Sequence, residues 1–308
     1  MLASFFKKSK PINFVLVGLF MSLFFLAANI FVEKVEFSLF YFLSKIGLLL
    51  AYLFLMMLIN FIVKRNEVTK RNTFTIFLFA VFTVLFFPVL QADEVIISSL
   101  CVLLALRRLV SLRSEIFIKR KIFDTSFWVA VAFLCYPESV LFVLLPFIGV
   151  LMYARDDFKN WLIPFFAIIS VFAFKTAFNL LFYNQFFNPF AYLVTPSLDL
   201  NAYREFSILF PLSVLIVFAV WVLFVYFKTI PKVSRAIKST LYIVLVTLII
   251  SIFVVIFDPN KNGAELLFFI LPVCIIGANY FEQNGKDIFK EILLISLLVL
   301  TFIVPFIA

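Results

Sequence analysis

Apolar runs near membrane-spanning length, about 20 residues for a hydrocarbon core of about 30 Å, follow one another along the chain, separated by short charged segments. The first, Ile12–Phe31, leads to Glu33, Lys34 and Glu36. The second, Leu39–Val63, ends at Lys64 and Arg65, and Lys70 and Arg71 close the following loop. Thr73–Leu90 leads to Asp93 and Glu94, and Val95–Leu106 ends at Arg107 and Arg108. In the second half the runs are Leu162–Tyr183, Ile208–Phe227, Leu241–Phe257, Leu266–Tyr280 and Ile292–Ile307.

Between the halves the pattern changes. In Arg107–Asp124 the apolar residues Leu109, Leu112, Ile116 and Ile118 recur near helical spacing among Arg113, Lys119, Arg120 and Lys121. That predicts a helix lying in the membrane interface. Phe127–Tyr136 and Ser139–Ala154 then give about 15 Å and about 24 Å of helix, and neither comfortably spans the core alone. They predict a short helical hairpin over 127–154 with Pro137 and Glu138 at its tip. One long helix kinked at Pro137 is the alternative. Charge favours the hairpin, which puts Lys119–Lys121, Arg155, Lys159 and the later basic loop (Lys228, Lys232, Arg235, Lys238) on one side, as the positive-inside bias requires. Arms this short need protein neighbours, so other spans should surround them.

The fold class expected is all-α: a polytopic membrane protein with about 11 hydrophobic helical segments, N-terminus cytoplasmic and C-terminus periplasmic, in a single integral membrane domain over 1–308. Composition agrees. Hydrophobic residues make up 65% and charged residues 14%, where a soluble domain averages about half and roughly a quarter. On this topology all but five of the 26 Lys and Arg are cytoplasmic, the exceptions being Lys34, Lys45, Lys175, Arg204 and Lys261. The net charge of +9 therefore belongs to one membrane face, suits anionic lipid headgroups and does not point to nucleic acid. Lys7, Lys8 and Lys10 precede a long run with no small-residue cleavage site, so the first span reads as a signal anchor. The expected location is the bacterial inner membrane.

Charges near spans are the chemistry on offer, because they are costly in hydrocarbon and tend to face a cavity or a partner. Asp93, Glu94 and Glu138 are the catalytic candidates, and Lys175 and Arg204 the candidates for contacting lipid or phosphate. Together they could converge on one external pocket. Arg107, Arg108, Arg113, Lys119, Arg120 and Lys121 form a cytoplasmic interfacial basic patch. A plainer account makes the acids helix caps at wet ends, favoured by the helix dipole, and makes Lys175 a snorkelling side chain. With no His, and with Cys101, Cys135 and Cys274 far apart along the chain, no metal or other cofactor is expected. Neither a phosphate-cradling glycine loop nor a G-x-S-x-G elbow is present. No internal repeat of the kind transporters carry is evident.

Four stretches, SKPINFVLVGLF, FIVKRNEVTKRNTF, LALRRLVSLRSEIFIKRKIFD and LMYARDDFKNWLIPF, carry a resemblance to an uncharacterised family of polytopic inner-membrane proteins from Flavobacteria and other Bacteroidota. A looser resemblance is to the GT-C class of glycosyltransferases. It rests on an acid at the outer end of a span before a basic turn (DEVIISSLCVLLALRRL), then a short hairpin and a span running to YNQFFNPF. It implies an external acid acting on a polyprenyl-phosphate sugar donor. That class usually places its key acid in the first outer loop, where this chain has Glu33 and Glu36, and often carries an outer domain absent here. The first functional expectation is a non-catalytic subunit or scaffold of an envelope assembly or export complex, with membrane lipids and an inner-membrane protein as partners. A GT-C-like transferase and a transporter are the alternatives.

Overall fold

A computed structural model describes residues 2–32, 38–70, 72–193, 195–283 and 287–307. Glu33, Lys34, Glu36, Arg71 and Lys286 lie outside the described residues. Within them the chain is all-helical: α1 (Leu2–Phe6), α2 (Pro11–Ala27), α3 (Leu39–Arg65), α4 (Phe74–Leu85), α5 (Phe87–Gln91), α6 (Asp93–Val110), α7 (Ile118–Cys135), α8 (Leu144–Tyr153), α9 (Phe158–Tyr183), α10 (Phe206–Thr229), α11 (Arg235–Phe257), α12 (Leu266–Glu282) and α13 (Asp287–Ile307). Among the described residues six helical stretches are long and apolar enough to cross a membrane: Pro11–Ile30, Leu39–Arg65, Asp93–Ser114, Phe158–Tyr183, Phe206–Lys232 and Ile237–Phe257. Three shorter apolar helices, Phe74–Leu85, Pro137–Tyr153 and Leu266–Glu282, accompany them. The chain is a multi-pass membrane protein.

Two of the short apolar helices form the centre. Every residue of α4 is buried, as is nearly all of α12, and the two pack against each other. A helix buried on all sides needs no polar face, which is why neither shows one. Gly277 on α12 permits the close approach: a Cβ there would stand 2.9 Å from both Leu78 Cδ1 of α4 and Phe218 Cζ of α10. Thr83 shows how a polar group is accommodated in this core. Thr83 Oγ1 donates to the Phe79 carbonyl at 2.7 Å and is paired with the Tyr52 hydroxyl of α3.

Two faces result. At one end Asn13 Nδ2 donates to Thr73 Oγ1 (2.8 Å) and Thr73 N to Phe6 O (2.9 Å). At the other, Asn29 Nδ2 donates to Leu90 O (3.0 Å). These bonds tie α2 to both ends of α4–α5. The first end gathers the basic residues and is called the basic face here, and the other is the opposite face.

The hairpin is present, and its arms differ from the sequence-based boundaries. The first arm is α7, beginning at Ile118 rather than Phe127. The second is a 3₁₀ turn, Pro137–Val143, continued by α8. Pro137 opens that turn, where its fixed φ fits and its missing N–H costs nothing. Lys119 and Asp157 close the base of the hairpin at 3.3 Å, so the hairpin enters and leaves on the basic face. Within the Asp157 turn, the Lys159 backbone N–H and then the Lys119 ammonium hold the Asp157 carboxyl below its ordinary range. As expected for short arms, α6, α9 and α11 flank them.

The expected interfacial helix over Arg107–Asp124 does not form. α6 continues to Val110, a 3₁₀ turn covers Ser111–Ser114, and Glu115 and Phe117 adopt left-handed φ of 55° and 54° before α7 begins. The reason is burial. Folding the segment back lets α6 and α7 pair along their length and takes Leu109, Leu112 and Ile122 out of lipid and water completely. Ile116 and Phe117 stay exposed at the corner.

α9 is the loosest span. It buries Asn160, Pro164, Ala167 and Val171, a narrow stripe at helical spacing that faces α7. Phe165, Phe166, Phe174 and Phe182 project outward, as lipid-compatible side chains can.

Candidate functional site

The opposite face is organised by the turn from α11 to α12, DPNKNGAE, over residues 258–265. Asp258 and Glu265 are completely buried there. The Tyr136 hydroxyl, at the end of α7, donates to Asp258 Oδ2, and Asp258 Oδ1 accepts from Asn260 N at 2.8 Å. Glu265 accepts from Gly263 N at 3.0 Å and from Asn262 N at 3.3 Å, and is bonded to the Tyr203 hydroxyl. Gly263 has φ +94°, a conformation that places its N–H over the carboxylate and that a side chain would resist. Lys261, 9% exposed, donates to the carbonyls of Asp258 (2.6 Å) and Ser197 (2.7 Å). The turn thus draws together the hairpin tip, the loop between α9 and α10 and the ends of α11 and α12. Burial outweighs these hydrogen bonds and holds the Glu265 carboxyl above its ordinary range, and burial and then the Glu265 charge raise the Tyr203 phenol.

None of these residues was among the sequence candidates. The signal was available: three charges within eight residues between two apolar runs, with an Asn-Gly step. Their tyrosine partners, however, come from 122 and 62 residues away.

The sequence candidates fall into separate groups. Asp93 is paired with Lys45 of α3 at 2.9 Å. Glu138 lies at the hairpin tip, in electrostatic reach of Glu94 and Asp258. It lines a cleft of about 190 Å³ whose other walls are apolar, among them Val140, Leu141, Leu193 and Phe257. Val140 and Leu193 also line a wholly apolar slot of about 230 Å³ between α7, α9 and Phe190. Lys175 of α9 stands over the Phe178 ring at 5.6 Å, within electrostatic reach of Cys135. Arg204 is exposed in a 3₁₀ turn. Its neighbour Glu205 borders a different cavity, of about 380 Å³, together with Lys261 and Gln91. Glu33 and Glu36, the first-loop acids, are outside the described residues.

Cys101 and Cys135, distant in sequence, come within side-chain reach of each other where α6 and α7 pair. Among the described residues no group of three or more His, Cys, Asp or Glu side chains is placed to hold a metal ion.

On the basic face Arg108 pairs with Asp124 (3.1 Å) and Arg113 with Glu67 (3.3 Å), while Arg113 also donates to Asn66 O at 3.0 Å. Lys121 donates to Ser111 O and Ser114 Oγ, each at 2.6 Å. Arg107 lies over the Phe61 ring at 4.7 Å. Lys119 is committed to the hairpin base, and Arg120 is exposed beside it.

One protein family, described as "Family of unknown function (DUF6427)", matches residues 1–307. No curated protein and no solved structure matches the chain.

Proposed function

We propose, from the premise that the chain belongs to DUF6427, that it is a non-catalytic subunit or scaffold of an envelope assembly or export complex in a bacterial inner membrane, working with a protein partner. One observation carries this reading. Among the described residues, three acids of the opposite face serve as ties within the fold (Asp93 to Lys45, Asp258 to Tyr136, Glu265 to Tyr203), and Glu138 and Glu205 line separate cavities, so the acids are not turned together into one. A catalytic acid needs access to the reacting group.

Gentle-detergent purification of the tagged protein from its own host, followed by mass spectrometry, tests the proposal. A reproducible stoichiometric protein partner is expected, and E94A and E138A should keep both that partner and the phenotype of the unaltered gene. A lone protein holding a polyprenyl-phosphate lipid would overturn it.

That result would favour a second reading, a GT-C-like transferase. Its specific support is the shared wall of the Glu138 cleft and the apolar slot, which would set a lipid chain beside a carboxylate. In that case E138A abolishes activity.

Orientation is checked separately. With the three native cysteines replaced, E138C should react with a membrane-impermeant maleimide in cells whose outer membrane is permeabilised. R120C should react only after lysis. The reverse pattern would place the basic face outside and contradict the positive-inside bias.

A further inference from the structure

On the basic face, the ends of α3, α6 and α7 and the 3₁₀ turn between α6 and α7 enclose a cleft of about 520 Å³. Arg65, Arg107, Arg108, Arg113 and Lys121 all line it. Two of these charges are neutralised, Arg108 by Asp124 and Arg113 by Glu67. Among the described residues Arg65, Arg107 and Lys121 form no ion pair.

Helix ends explain part of this. Cations are favoured in the last turn of a helix, and Arg65, Arg107 and Arg108 occupy such positions. The dipole does not explain why two further cations are built into the same cavity wall. Arg113 is fixed by Asn66 O, and Lys121 by Ser111 O and Ser114 Oγ. Like charges gathered around one space repel, and an anion in that space relieves the repulsion. Arg107 is held at the cleft by its contact with the Phe61 ring, 4.7 Å away, and among the described residues it forms no ion pair, which leaves its N–H donors for a ligand.

We propose that this cleft binds the phosphate group of a ligand. Two guanidinium forks and an ammonium match a multiply charged, multi-oxygen anion better than a single carboxylate. The volume admits a headgroup-sized molecule. Phe61, 42% exposed, provides an apolar wall on the membrane side. The phosphate could belong to a phospholipid headgroup or to a water-soluble phosphate ester. The proposal is independent of the subunit reading above.

The test uses the full chain in detergent, with native mass spectrometry as the readout. One probe is phosphatidic acid, and the other is inorganic pyrophosphate. The unaltered protein should retain phosphatidic acid. R65Q/R107Q should weaken it by about tenfold or more, the scale of two lost charge-assisted hydrogen bonds. K228Q/K232Q removes the same charge from the same face away from the cleft and should weaken it less than about threefold. R65K/R107K keeps the charge without the fork and should fall between. Competition by pyrophosphate identifies a site open to soluble phosphates, and its failure identifies a lipid headgroup site. Equal weakening in the two Gln pairs, or no retention of either probe by the unaltered protein, overturns the proposal. Arg65 and Arg107 are exposed, and unchanged elution and thermal unfolding of the variants would show that the fold is intact.

Discussion

Gly277→Val is expected to destabilise the centre of the fold strongly. The first added carbon would already stand 2.9 Å from Leu78 Cδ1 and from Phe218 Cζ, and 3.0 Å from Phe218 Cε1. Neither neighbour has room to retreat. Leu78 is completely buried, and the Phe218 ring is held between Phe82 (5.0 Å) and Phe281 (6.4 Å). Close-packed interiors answer overpacking with strained rotamers and backbone shifts of about 1–3 kcal/mol, sometimes more. β-branching at the position adds to the crowding. The expected result is a clear fall in thermal unfolding temperature in detergent and a shift of the eluted protein toward aggregate. Gly47→Val is the control, because nothing stands within 4 Å of a Cβ there. Equal unfolding temperatures for the two variants would refute the central α4–α10–α12 contact.

Glu265→Ala should come next. The substitution takes the acceptor away from Gly263 N, Asn262 N and the Tyr203 hydroxyl at once, in a turn where Glu265 itself is fully buried. Each orphaned buried donor costs about 1–3 kcal/mol, so a loss of roughly 3 kcal/mol or more is expected even if water replaces one bond. Glu265→Gln retains one acceptor oxygen and should be intermediate.

The pH dependence has a defined sign. Burial raises the folded pKa of Glu265 above its ordinary range. The contribution from protonating it is full below that ordinary range and is lost as pH rises through the raised value. Glu265→Gln should flatten the stability profile over that window, measured as unfolding temperature against pH. An unchanged profile would mean that the carboxyl does not titrate differently in the fold.

What could be read beforehand follows from how local the signal was. The apolar runs and the hairpin at Pro137 are both set within one or two turns of helix, by length and charge. The α6–α7 corner was missed because its left-handed residues are Glu115 and Phe117, without the Gly or Pro that usually marks a break. The ties of the opposite face were missed for a different reason. Tyr136 and Tyr203 look like ordinary interfacial aromatics until the spans are assembled, and only then does each meet a buried carboxylate. The same is true of Arg65, which joins the Arg107–Lys121 group only because α3 ends beside α6.

The burial of α4 also bears on how the protein is made. Its twelve residues form about 18 Å of helix, too short to hold a place in the bilayer by length, and one of its walls is α12, which is synthesised near the end of the chain. Until Leu266–Glu282 emerges from the ribosome, α4 has α2 and α3 for company and one side open. Maturation therefore waits on the C-terminal third, and a chain interrupted before Leu266 would leave a half-built bundle for membrane quality control to remove.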